Sequence, residues 1–329
     1  MPDTSLLEQL SAERAALATR LVPSIATVFV GRRRTVSAIR WRGPYLITAA
    51  EPLAGTEDVL WQSPLGLGAA ADAGPQRAEV VAADLTTDVA VIRTGGDTAI
   101  PTEAAAVLGA RDAVASEAHG KPSGREVLRL GETVAIVGCD ARGPLLRWST
   151  VSAAGGAWRS RRGGQIAQRL EFAAALDARL EGALIADAAG RIAAMRVTGP
   201  FARSLGIPAE TIERVLGTVE QHGYLPRPYL GLRLQTLWLD PATASRLGRR
   251  AARIPVITGI DADSPAAGAG LEPGDLIETI DEQEVDGVDS VAGALMGTSP
   301  GASLVLGLRR GGASERRTVT VADRPRARH

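Results

Sequence analysis

Cysteine is nearly absent from this chain: Cys139 is the only one in 329 residues. That excludes an intrachain disulfide and any metal centre built on several thiolates. In "TVAIVGCDA" it reads as a small core residue of a buried strand. Lysine is equally scarce, with Lys121 alone, so the 37 basic residues are almost all arginine and are matched by 37 acidic ones. A net charge of zero gives no global field toward a polyanion. The short arginine clusters at 31–34, 158–162, 246–253 and 309–317 are interspersed with acidic residues and read as solvated loops and strand ends, so no nucleic-acid partner is expected. The three histidines are His119, His222 and His329, and none follows a strand. No window approaches 18 uninterrupted apolar residues, so no membrane span is expected. The start, "MPDTSLLEQLSAERAALATRL", lacks a basic region followed by an apolar run. The expected compartment is cytoplasmic, or periplasmic for a chain whose leader has been removed.

The length suits two or three domains. Leu6, Leu7, Leu10, Leu17 and Leu21 predict an amphipathic helix over 5–21, interrupted by Arg14. From 24 to about 94 the pattern changes to short strands, "SIATVFVG", "TVSAIRW", "YLITAA", "DVLWQ", "RAEVVAAD" and "DVAVIRT", which suggests a small antiparallel barrel. The stretch 95–126 is rich in Ala, Gly and Pro and reads as a connector. A second all-β unit follows, ending near Val197. "PAETIERVLGTVEQHG" predicts a helix over 208–223, with Ile212, Val215, Leu216 and Val219 on one face and Gly223 as its stop. "YLPRP" then reads as a stiff hinge.

The third unit carries the most specific signal. "VITGIDADSPAAGAGLEPGDLIETIDEQEV" runs strand, turn, short small-residue helix, Pro-Gly-Asp turn, strand. A helix and a closing hairpin follow. This order and the "SPAAGAGLEPGD" string resemble a PDZ domain of the bacterial protease-associated type. The resemblance implies capture of peptide C-termini along a strand edge, with a loop of N–H groups holding the carboxylate. It puts Tyr229, Leu230, Gly231 and Leu232 at that loop and Val288–Met296 on the facing helix wall. An insertion at 238–255 could cover the groove, and a groove closed or self-occupied is the competing reading.

Two strand-rich units, a helix, "PYLGL" and a PDZ-like unit together resemble the HtrA/Deg family of trypsin-like serine proteases. In that family the catalytic His follows a phrase like "ILTAAHVV"; "LITAAEPL" matches it and has Glu51 at the His position. "DLTTDVAVIRT" matches the family's Asp phrase and places Asp88 there. The nucleophile phrase "GNSGGALV" meets "ARLEGALI". Leu180 therefore stands at the Ser position, Ala178 at the preceding Gly and Glu181 at the following one. A leucine has no oxygen to attack with, and no Ser lies between 170 and 190. The loss of glycine at Ala178 also puts the oxyanion hole in doubt. Asp88 is then expected to cap local N–H groups. If Glu51 and Asp88 are neighbours, one carboxyl has a raised pKa or a cation lies between them.

The resemblance implies a mainly β protein, a trypsin-like double β-barrel followed by a C-terminal PDZ domain. Its parts are an N-terminal helix at 1–22, the barrels at 23–207, a linker helix and hinge at 208–227, the PDZ domain at 228–323 and a tail at 324–329. The function expected is that of a catalytically inactive peptide-binding adaptor, scaffold or chaperone-like regulator. Its partners would be protein C-termini, with self-assembly or assembly with active homologues. No cofactor or metal is expected. Two alternatives stay open: an enzyme using the paired carboxylates Glu51 and Asp88, with or without a metal, and a purely structural oligomer subunit.

Overall fold

The computed structural model describes residues 5–31, 34–64, 74–96, 128–250, 252–296 and 298–325. Most of the expected connector at 95–126, with His119 and Lys121, lies outside them, as does His329. The chain divides into two compact units, Met1–Trp158 with Ile166–Leu225, and Arg159–Gln165 with Pro226–His329.

The first unit holds two closed six-stranded barrels. Strands β1 (Ile25–Val30), β2 (Arg34–Arg42), β3 (Tyr45–Thr48), β4 (Asp58–Gln62), β5 (Gln76–Asp84) and β6 (Val89–Thr94) close in the order β1-β2-β3-β6-β5-β4. Strands β7 (Thr133–Asp140) and β8 (Gly143–Gly155) begin the second barrel. A two-stranded ribbon follows, β9 (Trp158–Arg159) with β10 (Gln165–Ile166). Then come β11 (Arg169–Phe172), β12 (Leu184–Ala186), β13 (Ile192–Gly199) and β14 (Arg203–Pro208), closing in the order β11-β14-β13-β12-β7-β8. The short β14, "RSLGIP", was not legible in the sequence. It has no clean alternation, and its pairing with β11 and β13 makes it a strand.

The strands read as apolar runs because both faces are buried. On β1 and β3, Ala26, Val28 and Leu46 fill the first barrel, while Ile25 and Ile47 face the space shared with the second. On β7, Val134 and Ile136 fill the second barrel and Ala135, Val137 and Cys139 face the shared layer. Cys139 is buried, as its strand implied. Helix α1 (Leu6–Leu21) carries a capping box, with Ser5 and Glu8 satisfying each other's backbone N–H groups. Only the later part of its leucine stripe is used: Leu17 and Leu21 are buried, whereas Leu6, Leu7 and Leu10 are exposed. Arg14, which breaks the stripe, lies over the Trp148 ring. Helix α2 (Ala209–His222) buries the predicted face and ends at Gly223 in the left-handed conformation. Glu213 on its outer side accepts from the buried Trp41 indole and from Arg42, fastening the helix to the first barrel.

The second unit carries β15 (Pro228–Tyr229) paired with β22 (Ala322–Asp323), and a sheet in the order β16-β17-β18-β20-β21. These are β16 (Leu232–Trp238), β17 (Arg253–Ile260), β18 (Leu276–Ile280), β20 (Ser303–Arg310) and β21 (Ala313–Thr320), with β19 (Gln283–Glu284) beside β18. Helices α3 (Pro241–Arg246), α4 (Pro265–Gly268) and α5 (Val288–Met296) connect them. The "GLEPGD" turn is built around a carboxylate: Asp275, 1% exposed, receives two hydrogen bonds from the Arg310 guanidinium and one from the Glu272 N–H. The bidentate pair keeps Asp275 below the usual carboxylate range.

Candidate functional site

Glu51, Asp88 and Leu180, the positions singled out by the resemblance, lie in and around two short turns, one on each barrel. Strand β3 runs out through Ala49 and Ala50 into a short 3₁₀ turn, Glu51–Leu53. Asp88, just before β6, caps that turn. Its Oδ1 accepts from the N–H groups of Ala50 at 2.9 Å and Glu51 at 2.8 Å. This is the local capping role expected of it. Asp88 holds a left-handed backbone (φ 58°), which Asp and Asn tolerate better than most residues. Burial pushes its carboxyl up to about 7; the two backbone N–H groups pull the other way, and the charges of Glu181 and Glu51 add to the rise. Glu51 itself is exposed. The expected neighbour pair therefore exists, and its less exposed member, the half-buried Asp88, carries the raised pKa.

The third position is turned elsewhere. Residues Ala178–Leu180 form a 3₁₀ turn, capped by the Asp177 side chain on the Arg179 N–H. The Arg179 guanidinium holds Asp177 below the usual carboxylate range. Leu180 is 2% exposed and packs in the core of the second barrel with Ile136, Phe172 and Ile185. Its N–H donates to the Asp177 carbonyl, and the Glu181 N–H donates to that of Ala178. Both N–H groups are thus consumed inside the turn. Ala178 is exposed at its start.

Two buried charges hold this turn, and the sequence reading did not find them as a pair. Glu181, 7% exposed, accepts from Arg196 Nη1 at 2.7 Å, from the Thr198 N–H at 2.9 Å and from the Thr198 hydroxyl at 2.6 Å. Arg196, 2% exposed, lies on β13 in "IAAMRVTG", and burial pulls its pKa down. The signal was partial: Arg196 is a lone charge in the apolar run "IAAMRVTG", whereas Glu181 follows Asp177 and Arg179 closely. Their pairing depends on the adjacency of β12 and β13. Ser37 on β2 joins the same turn to the first barrel. Its N–H donates to the Glu181 carbonyl, its hydroxyl donates to the Arg179 carbonyl, and its Oγ accepts from the Cys139 N–H. Gly182 (φ 78°) is required there, because a Cβ would stand 2.1 Å from the Ser37 carbonyl oxygen. Among the described residues, no group of three or more His, Cys, Asp or Glu side chains is placed to hold a metal ion.

A second candidate site lies on the second unit. Among the described residues, β16 has only β17 as a sheet neighbour, so its other edge is open to further pairing. Before it, the Leu230 carbonyl accepts from the Ala266 N–H and the Gly231 carbonyl from the Asp261 N–H. In a trans peptide the next N–H points the opposite way, so the N–H groups of Gly231 and Leu232 face away from residues 261–266. Two adjacent N–H groups aimed together make an anion-binding concavity. Gly231 (φ 78°) permits this loop, since a Cβ would stand 2.2 Å from that of Ser264. The Tyr229 hydroxyl donates to Asp261 at 2.7 Å and steadies the loop's start. Leu230 is buried in one core with Val291 of α5, against which Leu232, Leu234 and Leu295 pack. Of the insertion at 238–255, Arg249 is fastened to the carbonyls of Glu278, Arg253 and Val285. Those anchors lie around β17–β19, on the paired side of β16.

Comparison with known proteins agrees with this layout. Residues 228–321 match the PDZ domain family. A "Probable periplasmic serine endoprotease DegP-like" from Halomonas elongata is 30% identical over 130 residues, which is 40% of this chain and 27% of the relative. Its counterpart in Bartonella henselae is 27% identical over 122 residues, 37% of this chain and 24% of the relative. The matched stretch thus spans about a quarter of these relatives' length. Among solved structures, "HtrA-type protease AlgW with decapeptide" superposes with a TM-score of 0.60 at 22% identity, covering 95% of this chain and 99% of that one. The serine endoprotease from Yersinia pestis gives a TM-score of 0.57 at 16% identity, over 94% and 98%. At these identities the structures attest the fold: a trypsin-like double barrel followed by a PDZ domain.

Proposed function

We propose that this chain is a member of the HtrA/Deg family that works as a catalytically inactive, peptide-binding adaptor or chaperone-like regulator. One observation carries the reading. The residue standing at the nucleophile position, Leu180, is an aliphatic side chain built into the second barrel's core, and its N–H is bonded within its own turn. Acyl transfer needs an activated nucleophile and free donors for the oxyanion. Neither is available at Leu180, and Glu51 at the His position has no hydroxyl there to activate. The capping bonds of Asp88 support a structural use of the family's Asp position.

What stays usable is the PDZ domain, where the open edge of β16 and the Gly231–Leu232 N–H pair suit a free peptide carboxylate. The AlgW structure, a neighbour in fold, contains a decapeptide. Its partners are therefore protein C-termini, presented by unfolded clients, by active homologues or by copies of itself. The periplasmic names of the curated relatives favour the second of the two compartments left open by the sequence.

Casein and an unfolded client, incubated with the purified chain, should show no cleavage above an inhibitor-treated control. Turnover that disappears in Glu51→Ala overturns the proposal. In parallel, a C-terminal peptide library should yield selective binders that amidation of the carboxylate abolishes. Gly231→Val should weaken them more than about tenfold while circular dichroism stays unchanged.

A further inference from the structure

The edge strand β16 alternates regularly at first: Leu232, Leu234 and Thr236 are half-buried, and Arg233 and Gln235 are exposed. A period of two puts Trp238 on the half-buried face. It is instead 77% exposed. The reason is that the cover ends. Helix α5 starts at Val288, whose N–H donates to Thr236 Oγ1 at 3.1 Å. Gly287 permits the close approach, since a Cβ there would stand 3.1 Å from the same oxygen. The helix wall therefore stops opposite Thr236, and the strand runs on for two more residues beyond it. The Trp238 indole is also held in place. The Arg253 guanidinium lies over it, 5.6 Å from the ring centroid, and is itself fixed by Asp286 at 2.7 Å.

Register says what would meet that ring. A peptide anchored by its carboxylate at Gly231 and Leu232 adds to β16 as an antiparallel strand. Each step back along the peptide is one step forward along β16, and directly opposite residues share a face. The last residue then faces Leu232, the third from last Leu234, the fifth from last Thr236 and the seventh from last Trp238. We propose that Trp238 is a specificity-determining residue that selects C-terminal peptides with a large apolar or aromatic side chain at the seventh position from the carboxylate. This rests on the peptide-binding reading of the PDZ domain. It extends that reading beyond the groove wall, to a contact that shorter ligands never reach. The fifth position faces the closure between Thr236 and α5 and takes a small side chain.

The test uses the full chain and fluorescein-labelled octapeptides drawn from a C-terminal library. Each is compared with its Ala variant at the seventh position from the end and with the tetrapeptide of the same terminus. Replacing Phe by Ala at that position should weaken binding about twofold to tenfold, the range of an aromatic pair. Trp238→Ala should remove this difference and leave tetrapeptide affinity unchanged, and Trp238→Phe should restore much of it. The side chain is exposed, so its loss leaves the core intact. A Phe-to-Ala difference that persists in Trp238→Ala overturns the proposal, as does an equal loss for octapeptide and tetrapeptide. If the native chain binds neither length, the peptide-binding reading itself fails. The tetrapeptide separates the two failures, because it needs the loop and not the indole.

Discussion

Replacing Asp88 by Asn should make the protein less sensitive to alkaline pH. Asp88 has an ordinary carboxyl value of about 3.9 in the unfolded chain, and burial raises it to about 7 in the folded one. Between those values the folded state binds more protons than the unfolded state, so stability falls as pH rises and the full cost is present above the folded value. Each unit of difference corresponds to about 1.4 kcal/mol, so the complete effect is about 4 kcal/mol. About half of it falls between roughly pH 5 and pH 7, and about a third below that. Asn keeps an acceptor for the Ala50 and Glu51 N–H groups and suits the left-handed backbone, so the variant removes the charge and little else. Urea unfolding of the two proteins from about pH 5 to about pH 8 should give converging stabilities at the acid end. At the alkaline end the variant should be more stable by about 3–4 kcal/mol. Parallel profiles would refute the assignment of the pH dependence to the Asp88 carboxyl.

The Glu181–Arg196 pair should be costly to break and cheap to replace: either single change, Glu181→Leu or Arg196→Met, should lose about 3–5 kcal/mol, and the double change much less than their sum. Chemical denaturation of the four proteins checks it as a double-mutant cycle. Leu180→Ser should lose about 2–5 kcal/mol by thermal melting, as a core truncation does, and should gain no peptidase activity, because the turn that presents the residue faces the barrel core. Phe201 and Ala202 both hold φ 58° in the β13–β14 hairpin. Ala202→Gly should relieve that strain and raise stability by about 1 kcal/mol, read as a rise in melting temperature.

The sequence alone determined the strand-rich units, the PDZ unit with its glycine turn at Gly231, helix α2 with its buried face, and the strand end that carries Glu51 beside Asp88. These follow from local signals: period, turn chemistry and motif order, which a chain carries in consecutive residues. It also carried the capping role of Asp88, because a short acidic side chain beside a turn has few other uses. Tertiary structure alone decided the rest. It set the direction of Leu180, since a leucine in a loop-like phrase faces the core only once β12 and the barrel wall exist. It paired Glu181 with Arg196 across 15 residues, because neighbouring strands bring distant positions within a hydrogen bond. And it exposed Trp238 by starting α5 opposite Thr236, two residues short of it, a boundary between elements that no periodicity within β16 could reveal.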